Sequence, residues 1–462
     1  MTETDLPPES RPHRALRSLG VDRAVAYTVA GTAWGMAARF VTLLLTVEYL
    51  SPDQQGYALT YGSLLALQVF FELGAGVVVQ QCASHEAGLL VWAADGTLDG
   101  DPVGKARLAS LFRQTVGWYA GIAVLVAAVV GPAGAVFFDR NGTARAAEWL
   151  PGWVLTVAAA ALAQLAAPLA LTLNGAGRMA DTARVSALAQ LGVSLTGWVL
   201  LVAGAGLLAL PAGALVGVVA TTVGLGWRFR PAVLDLWRHP SGDHRVRWAA
   251  DVWPFQWRVA LSWLSGYFVF QLFNPVAFAF HSPAAAGRVG LSLTLVGQVQ
   301  GVANIWLNTK MPLFGRLIAR RQFAELDVAF RRAFVPALGL AVVGGLAVVA
   351  AAAALEWVGS RYTARLLPPV LLAVAAGNMV VQVGVGGMAS YLRAFKREPF
   401  LLISLVMAAL TGGAVYLLGR YVGLGAMLGG FLAVNVLVCL PWAVAIFTAC
   451  RRRYQAEPGA VA

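Results

Sequence analysis

Charge is scarce in the apolar stretches of this chain. The few ionisable residues embedded there are where chemistry could reside, because a charge at the centre of a bilayer is costly and usually faces a partner or a wet cavity. Arg39 is one. At about 100° per residue, Thr28, Thr32, Arg39, Thr42 and Thr46 fall within about 40° of one line, a polar stripe with a guanidinium near its middle. Glu72 is another. It follows Gln68 by one turn and lies about fifteen residues, roughly 22 Å, into its own stretch, at a depth similar to that of Arg39. Such a pair can exchange partners as an anion or coupling ion enters, and it can equally stand as a buried structural ion pair.

Amides mark two further stretches. Gln300, Asn304 and Asn308 line one face of residues 284–307, and Gln256, Trp263, Tyr267, Gln271 and Asn274 line one face of 256–279, with Arg258 near its inner mouth. These groups suit sugar hydroxyls, and they suit interhelical hydrogen bonds just as well. Other chemistry finds no support. His85 beside Glu86 is no metal site, and Cys82, Cys439 and Cys450 have neither zinc nor disulfide spacing. No Gly-rich loop runs into Lys and Ser/Thr, so neither nucleotide, cofactor nor resident metal is expected. Glu48 and Glu86 read as interfacial, and Asn141-Gly142-Thr143 is a glycosylation triplet of a kind common by chance.

The elements that position these residues are membrane spans. Of 462 residues, 59% are hydrophobic and 12% charged, with a mean hydropathy of +0.70, outside the balance of soluble domains. Apolar stretches long enough to cross a roughly 30 Å core occur at 24–50, 57–81, 116–138, 150–173, 185–208, 212–227, 256–279, 284–307, 334–355, 366–392, 400–418 and 422–450. Residues 185–227 are uncharged throughout and would measure roughly 60 Å as one helix, so they must fold back, best at Ala209-Leu210-Pro211-Ala212-Gly213.

The net charge of +12 comes from short blocks between spans, without the interleaved aromatics of a nucleic-acid surface. Lys105, Arg107, Arg113, Arg238, Arg245, Arg247, Lys310, Arg316 and Arg451 collect on one side, against Arg140, Arg145, Arg361, Arg365 and Arg420 on the other. That asymmetry predicts a multi-pass protein of the cytoplasmic membrane with both termini inside. Residues 1–23 lack a signal-peptide core and read as a retained cytoplasmic tail. Trp149 and Trp153 outside, and Trp248, Trp253 and Trp257 inside, fit interfacial belts. Met311 to Phe330 alternates apolar residues with Arg316, Arg320 and Arg321, as an amphipathic surface helix or a basic topology-fixing loop would.

The chain also looks doubled. Ser51-Pro52 with Gly56 opens the second span, and Ser282-Pro283 with Gly287 opens the eighth. Leu173 to Arg178 after the fourth span is echoed by Leu392 to Arg397 after the tenth. Six spans per copy keep both in one orientation, as parallel repeats. The expected organisation is a tail 1–23, an N-lobe 24–227, a cytoplasmic linker 228–251, a C-lobe 252–450 and a tail 451–462.

At Tyr49-Leu50-Ser51-Pro52-Asp53-Gln54-Gln55-Gly56-Tyr57 and from Ser63 to Gly74 the sequence resembles bacterial O-antigen and capsular polysaccharide flippases, whose superfamily includes multidrug and toxin extrusion antiporters and lipid II flippases. The resemblance implies an all-α integral membrane protein of about twelve helices in two six-helix lobes around a central cavity. It further implies alternating access, an undecaprenyl-pyrophosphate-linked oligosaccharide as substrate, membrane lipids and polysaccharide assembly proteins as partners, and no enzymatic step. The residues expected to line the cavity are Arg39, Thr42, Gln68, Glu72, Arg258, Gln271, Asn274, Gln300 and Asn304, with Arg39 drawing the pyrophosphate and Glu72 serving any coupling ion. An ion-coupled exporter of small amphiphiles is the alternative on the same fold. A membrane glycosyltransferase or polymerase would need a larger outer loop than 139–149. Orientation is checked by impermeant thiol labelling in sealed cells: cysteines at Gly142 and Tyr362 should react and one at Ser241 should not, and labelling at Ser241 would overturn the twelve-span arrangement.

Overall fold

The computed structural model describes residues 23–456 apart from Lys396 and Glu398. Among the described residues, nine helices are long and apolar enough to cross a membrane, and a bent pair makes a tenth. The two remaining expected stretches are also helices. α1 (Arg23–Tyr49) and the eighth span (Pro283–Asn308) have 27 and 26 residues, about 40 Å at 1.5 Å each. Arg39 in the first, and Gln298, Gln300 and Asn304 in the second, make them less apolar than the other spans.

Helix starts follow from local chemistry. α2 (Pro52–Leu65) begins in a capping box: Ser51 Oγ accepts from Gln54 N at 3.1 Å and the Gln54 amide accepts from Ser51 N at 3.0 Å. Pro52 fills the first turn, where its missing N–H costs nothing. The second span does not continue straight. After one further turn (Val69–Glu72) the chain takes the left-handed region at Leu73 (φ 50°) and Gly74 (φ 66°), and α3 (Ala75–Glu86) leaves at 47°.

An antiparallel hairpin follows, β1 (Leu90–Trp92) on β2 (Leu98–Gly100). Its turn is the Asp95-Gly96 dipeptide, with Gly96 at φ 84° and the Asp95 carboxylate accepting from Thr97 N and Oγ1 at 2.9 and 2.7 Å. The Thr97 hydroxyl and backbone N–H hold the Asp95 carboxyl below the usual range.

α4 (Pro102–Leu125) runs through a π-turn at Val126–Val130 into α5 (Gly131–Asn141), and α6 (Ala146–Gly175) and α7 (Met179–Val202) follow. The fold-back lies earlier than expected. α7 ends at Val202 and the chain turns at Gly204 (φ 79°) and Gly206 (φ 56°). Pro211 instead occupies the first turn of α8 (Ala209–Arg228), so glycine breaks the helix and proline starts the next. Segment 228–251 is structured, with α9 (Arg230–Arg238) and a π-turn at Trp248–Val252.

The chain divides into two compact units. The first is Met1–Leu45, Gly74–Ala128 and Val154–Gln256. Here α7 and α8 pack backbone to backbone, a Cβ on Gly213 lying 2.6 Å from Val193 O and 3.2 Å from Gly197 N. Several basic residues read above as topology signals hold α4 to its neighbours: Lys105 pairs with Asp235 (2.9 Å), Arg107 with Glu86 (2.8 Å) and Asp251 (3.5 Å), and Arg113 donates to Leu236 O and His239 O at 2.9 and 2.8 Å. The hairpin docks through Trp92, whose Nε1 donates to Ala176 O at 2.9 Å under the Arg178 guanidinium.

The second unit is Thr46–Leu73, Val129–Trp153 and Trp257–Ala462. It holds the end of α1 from Thr46, α2, α5, α10 (Trp253–Phe270, from Trp257), α11 (Phe273–Phe280), α12 (Pro283–Asn308), α13 (Met311–Ala319), α14 (Phe323–Trp357), α15 (Pro369–Arg393), α16 (Leu401–Tyr421), α17 (Leu424–Val434), a π-turn at Asn435–Cys439 and α18 (Leu440–Ala456). Trp149 and Trp153 are buried, not interfacial. They belong to an aromatic cluster with Tyr57, Tyr61, Phe138 and Phe278, where Tyr61 Oη donates to Trp149 O at 2.6 Å and Trp153 Nε1 to Gly131 O at 2.8 Å. The amphipathic segment is helical in α13, and Phe314, Leu317 and Ile318 bury its apolar face against Leu326, Phe330 and Tyr391. Beside them Asp327 accepts from Arg451 (2.5 Å) and Tyr391 (2.8 Å), tying α14, α15 and α18 together.

Two experiments test these local readings. Gly142 is a poor labelling site because a Cβ there would overlap the Tyr57 hydroxyl, so the exposed Thr143, Ala364 and Asp243 replace the three positions named above. In detergent melts, Gly74→Ala should cost ~1–2 kcal/mol because it forces Ala into the left-handed region, whereas Gly117→Ala, in open space on α4, should stabilise by ~0.5–1 kcal/mol. Equal shifts would show that the break at Leu73-Gly74 is not a left-handed turn.

Candidate functional site

The two Ser-Pro-x-x-x-Gly repeats meet each other. α2 and α12 cross in the second unit with Gly56 against Pro283, where a Cβ on Gly56 would overlap the Pro283 carbonyl. Gly287 faces the other way, its Cβ position 3.0 Å from both Gly56 N and Pro52 O. Gln55 Nε2 donates to Gly287 O at 2.8 Å across the crossing, and Ser282 Oγ caps α12 by accepting from Ala285 N at 3.0 Å. The missing side chains are what allow the backbones to touch.

Beside the crossing, loop residues hold the end of α1. Arg361 Nη2 donates to both Glu48 oxygens at 2.7 and 2.8 Å, Tyr362 Oη donates to Glu48 Oε2 at 2.8 Å, and Arg365 donates to Leu50 O at 2.6 Å. The Tyr362 hydrogen bond and then the Glu48 carboxylate push the Arg361 pKa up. Glu48 had read as interfacial. Its partner lies 313 residues away, beyond the reach of helical spacing.

Arg39 is exposed on α1 in the first unit. Thr42, one turn on, accepts from Trp198 Nε1 at 2.8 Å, so part of the threonine stripe holds α1 to α7. The side chains of Thr28, Thr32, Trp263 and Arg258 lie outside the described residues. Gln68 and Glu72 are half-buried in the second unit, and Glu72 is the last helical residue before the left-handed break. Gln271 sits where the seventh span is interrupted between α10 and α11. Asn274 donates to Ser63 Oγ at 3.0 Å and so joins α11 to α2, while its own Oδ1 is buried without a partner among the described residues. Gln300 and Asn304 are half-buried on α12. Gln256, fully buried, accepts from Trp248 Nε1 at 3.0 Å.

Among the described residues, the second unit contains an apolar cavity and a more polar one. One, about 590 Å³, has apolar walls built from Phe70, Leu261, Phe268, Leu272, Leu405 and Tyr416. The other, about 290 Å³, lies among α10, α15, α16 and the π-turn, with Gln382, Arg393, Ser404, Thr411 and Asn435 among its lining groups. The sequence reading passed over these residues. The available signal was a polar side chain in each of three successive spans, Gln382, Thr411 and Asn435.

No protein-family model matches the chain, and no curated protein does. Solved structures do. An inward-facing multidrug resistance MATE family transporter of the MOP superfamily aligns at 17% identity over 92% of this chain and 99% of its own, with a TM-score of 0.60. The outward-facing form of such a transporter aligns at 17% identity, 96% and 100% coverage and a TM-score of 0.50. A MOP superfamily transporter from Pyrococcus furiosus, described by a binding pocket of reverse polarity, aligns at 16% identity, 98% and 100% coverage and a TM-score of 0.51. The chain is thus a multi-pass, nearly all-helical membrane protein with the MATE/MOP transporter fold.

Proposed function

We propose that the chain exports small amphiphilic molecules by alternating access. The observation that carries transport is the crossing of the two repeats. Gly56 on Pro283, with the Glu48–Arg361 latch beside it, closes one end of the second unit by contacts that can separate without breaking a helix. The Leu73-Gly74 break, in the same span as Gly56, gives the chain a place to bend. The second unit contains cavities of about 590 and 290 Å³, a size that suits drug-sized ligands. The multidrug transporters that share the fold, known in inward- and outward-facing forms, support the same choice. In this reading residues 24–227 and 252–450 act as the two lobes joined by 228–251, the Ser51 and Ser282 ends face outward, and both termini are cytoplasmic.

Translocation of an undecaprenyl-pyrophosphate-linked oligosaccharide is the second reading. It is favoured by the resemblance from Tyr49 to Gly74 and by exposed Arg39, a counter-charge for a pyrophosphate that cannot enter an apolar cavity alone. Glu72 would then pair or protonate when the site is empty.

Proteoliposomes separate the two. With an imposed proton or sodium gradient, small amphiphilic dyes should be extruded while a polyprenyl-pyrophosphate-linked oligosaccharide stays in its leaflet; the reverse result would transfer the function to the second reading. Gly56→Ala tests the closure. It should weaken the closed end by ~1–3 kcal/mol, as overpacking does. A cysteine at buried Ser63, with the three native cysteines replaced, should then react at least about tenfold faster with an impermeant reagent. Unchanged reactivity would show that the crossing is not the seal.

A further inference from the structure

The larger cavity is a groove along two spans. On α10 its wall carries Leu261, Leu264 and Phe268, at a spacing that puts them on one helical face. On α16 the facing wall carries Leu405, Ala409, Gly413 and Tyr416, eleven residues and so roughly 16 Å from first to last. Phe70, on the turn just before the Leu73-Gly74 break, closes the back and meets Phe268 edge to face at 5.9 Å between ring centres. Gly412 lets α10 and α16 approach, its Cβ position lying 3.2 Å from Phe268 Cδ1.

The groove opens on an apolar surface. Phe268 and Tyr416 remain 37% and 39% exposed, and Leu402, Leu410 and Leu417 of α16 are exposed as well. α16 is long and apolar enough to span, so exposed leucines along it belong against hydrocarbon, and a groove of roughly 16 Å matches one leaflet's share of a roughly 30 Å core. One end is cationic. Arg420 sits in the last turn of α16, one turn past Tyr416, and its Nη1 donates to Tyr416 Oη at 3.0 Å. The guanidinium lies 5.4 Å from the centre of the Phe280 ring and 5.1 Å from that of Tyr421. None of these partners is acidic, so a positive charge is held in place at the end of the 21-residue span.

We propose that this groove holds one acyl chain of an anionic phospholipid whose phosphate lies at Arg420. A hydrocarbon tail gains little by leaving bulk lipid, so shape admits the tail and the guanidinium selects the headgroup. Because Phe70 belongs to the turn that precedes the Leu73-Gly74 break, the tail rests against the segment where the second span changes direction. The lipid is a resident of the bilayer and not the transported molecule, so the inference does not rest on the transport reading.

The test uses the full chain in phosphatidylcholine nanodiscs with a trace of phosphatidylglycerol that carries a photoreactive group on its acyl chain, and mass spectrometry locates the labelled peptides. In the wild type, peptides covering residues 261–272 and 405–416 should be labelled above the other spans. Unlabelled phosphatidylglycerol should dilute that labelling about fivefold more effectively than the same amount of phosphatidylcholine, as one cation near the membrane surface provides. At exposed Arg420, Arg420→Gln should remove the preference and Arg420→Lys should keep most of it. Gly413→Leu fills the groove where a Cβ meets nothing within 4 Å, so the protein should keep its melting temperature and lose the groove labelling. Labelling no greater in the groove than on the other spans, equal dilution by the two lipids, labelling that survives Gly413→Leu, or a preference that survives Arg420→Gln would each overturn the assignment. Loss of dye export with these labelling results intact would count against the transport reading alone.

Discussion

The close approach of α2 and α12 is the constraint around which the second unit is arranged. Two helices can bring their backbones into contact only where neither carries a side chain, and Gly56 and Gly287 supply that on both sides. The Ser-Pro caps start both helices at equivalent points, so the glycines arrive in register. Around this contact sits the aromatic cluster of Tyr57, Tyr61, Phe138, Trp149 and Phe278, which fixes the helices laterally. Apolar packing has little driving force between helices in lipid, so close van der Waals fit and a few interhelical hydrogen bonds, Gln55 to Gly287 and Asn274 to Ser63, must hold the end together.

Two helix interruptions fall where the chain passes from one compact unit to the other. The second span breaks at Leu73-Gly74, the boundary itself, and the third carries its π-turn at Val126–Val130 across the boundary at Ala128. Left-handed residues and π-turns are the places where a helix can change direction at little cost. A third π-turn, at Asn435–Cys439, lies in the last span beside the smaller cavity. It places the Asn435 amide inward in a helix that otherwise reads as uniformly apolar.

Much of the fold was legible in the sequence because lipid imposes simple rules: each apolar stretch had to be a helix. The duplicated Ser-Pro-x-x-x-Gly pattern was visible, but its meaning was not, because nothing in spacing says that two copies will touch. The fold-back was misplaced since Pro211 is a helix breaker in mid-helix and a helix starter at the first turn, and only the glycines at 204 and 206 distinguish the two. Trp149 and Trp153 carry the composition of an interfacial belt and the neighbours of a core. The candidate site was less legible. Arg39 and Glu72 stand out because charge in a span is rare, whereas Thr411, buried with its hydroxyl unpartnered among the described residues, and Asn435, buried and bonded to Gln382, are ordinary residues in the sequence. Glu48 and Arg361 form a pair across 313 residues, a separation at which no periodicity operates.

Alternating access requires the end where Gly56 meets Pro283 to have two states. Distances between spin labels at exposed Asp53 and Ala364 measure this directly, since one sits at the start of α2 and the other between latch residues Arg361 and Arg365. In nanodiscs, two distance populations should appear, with the longer one gaining weight when the seal is weakened by Gly56→Ala or when transported substrate is added. A single distance that neither treatment changes would contradict alternating access through this end.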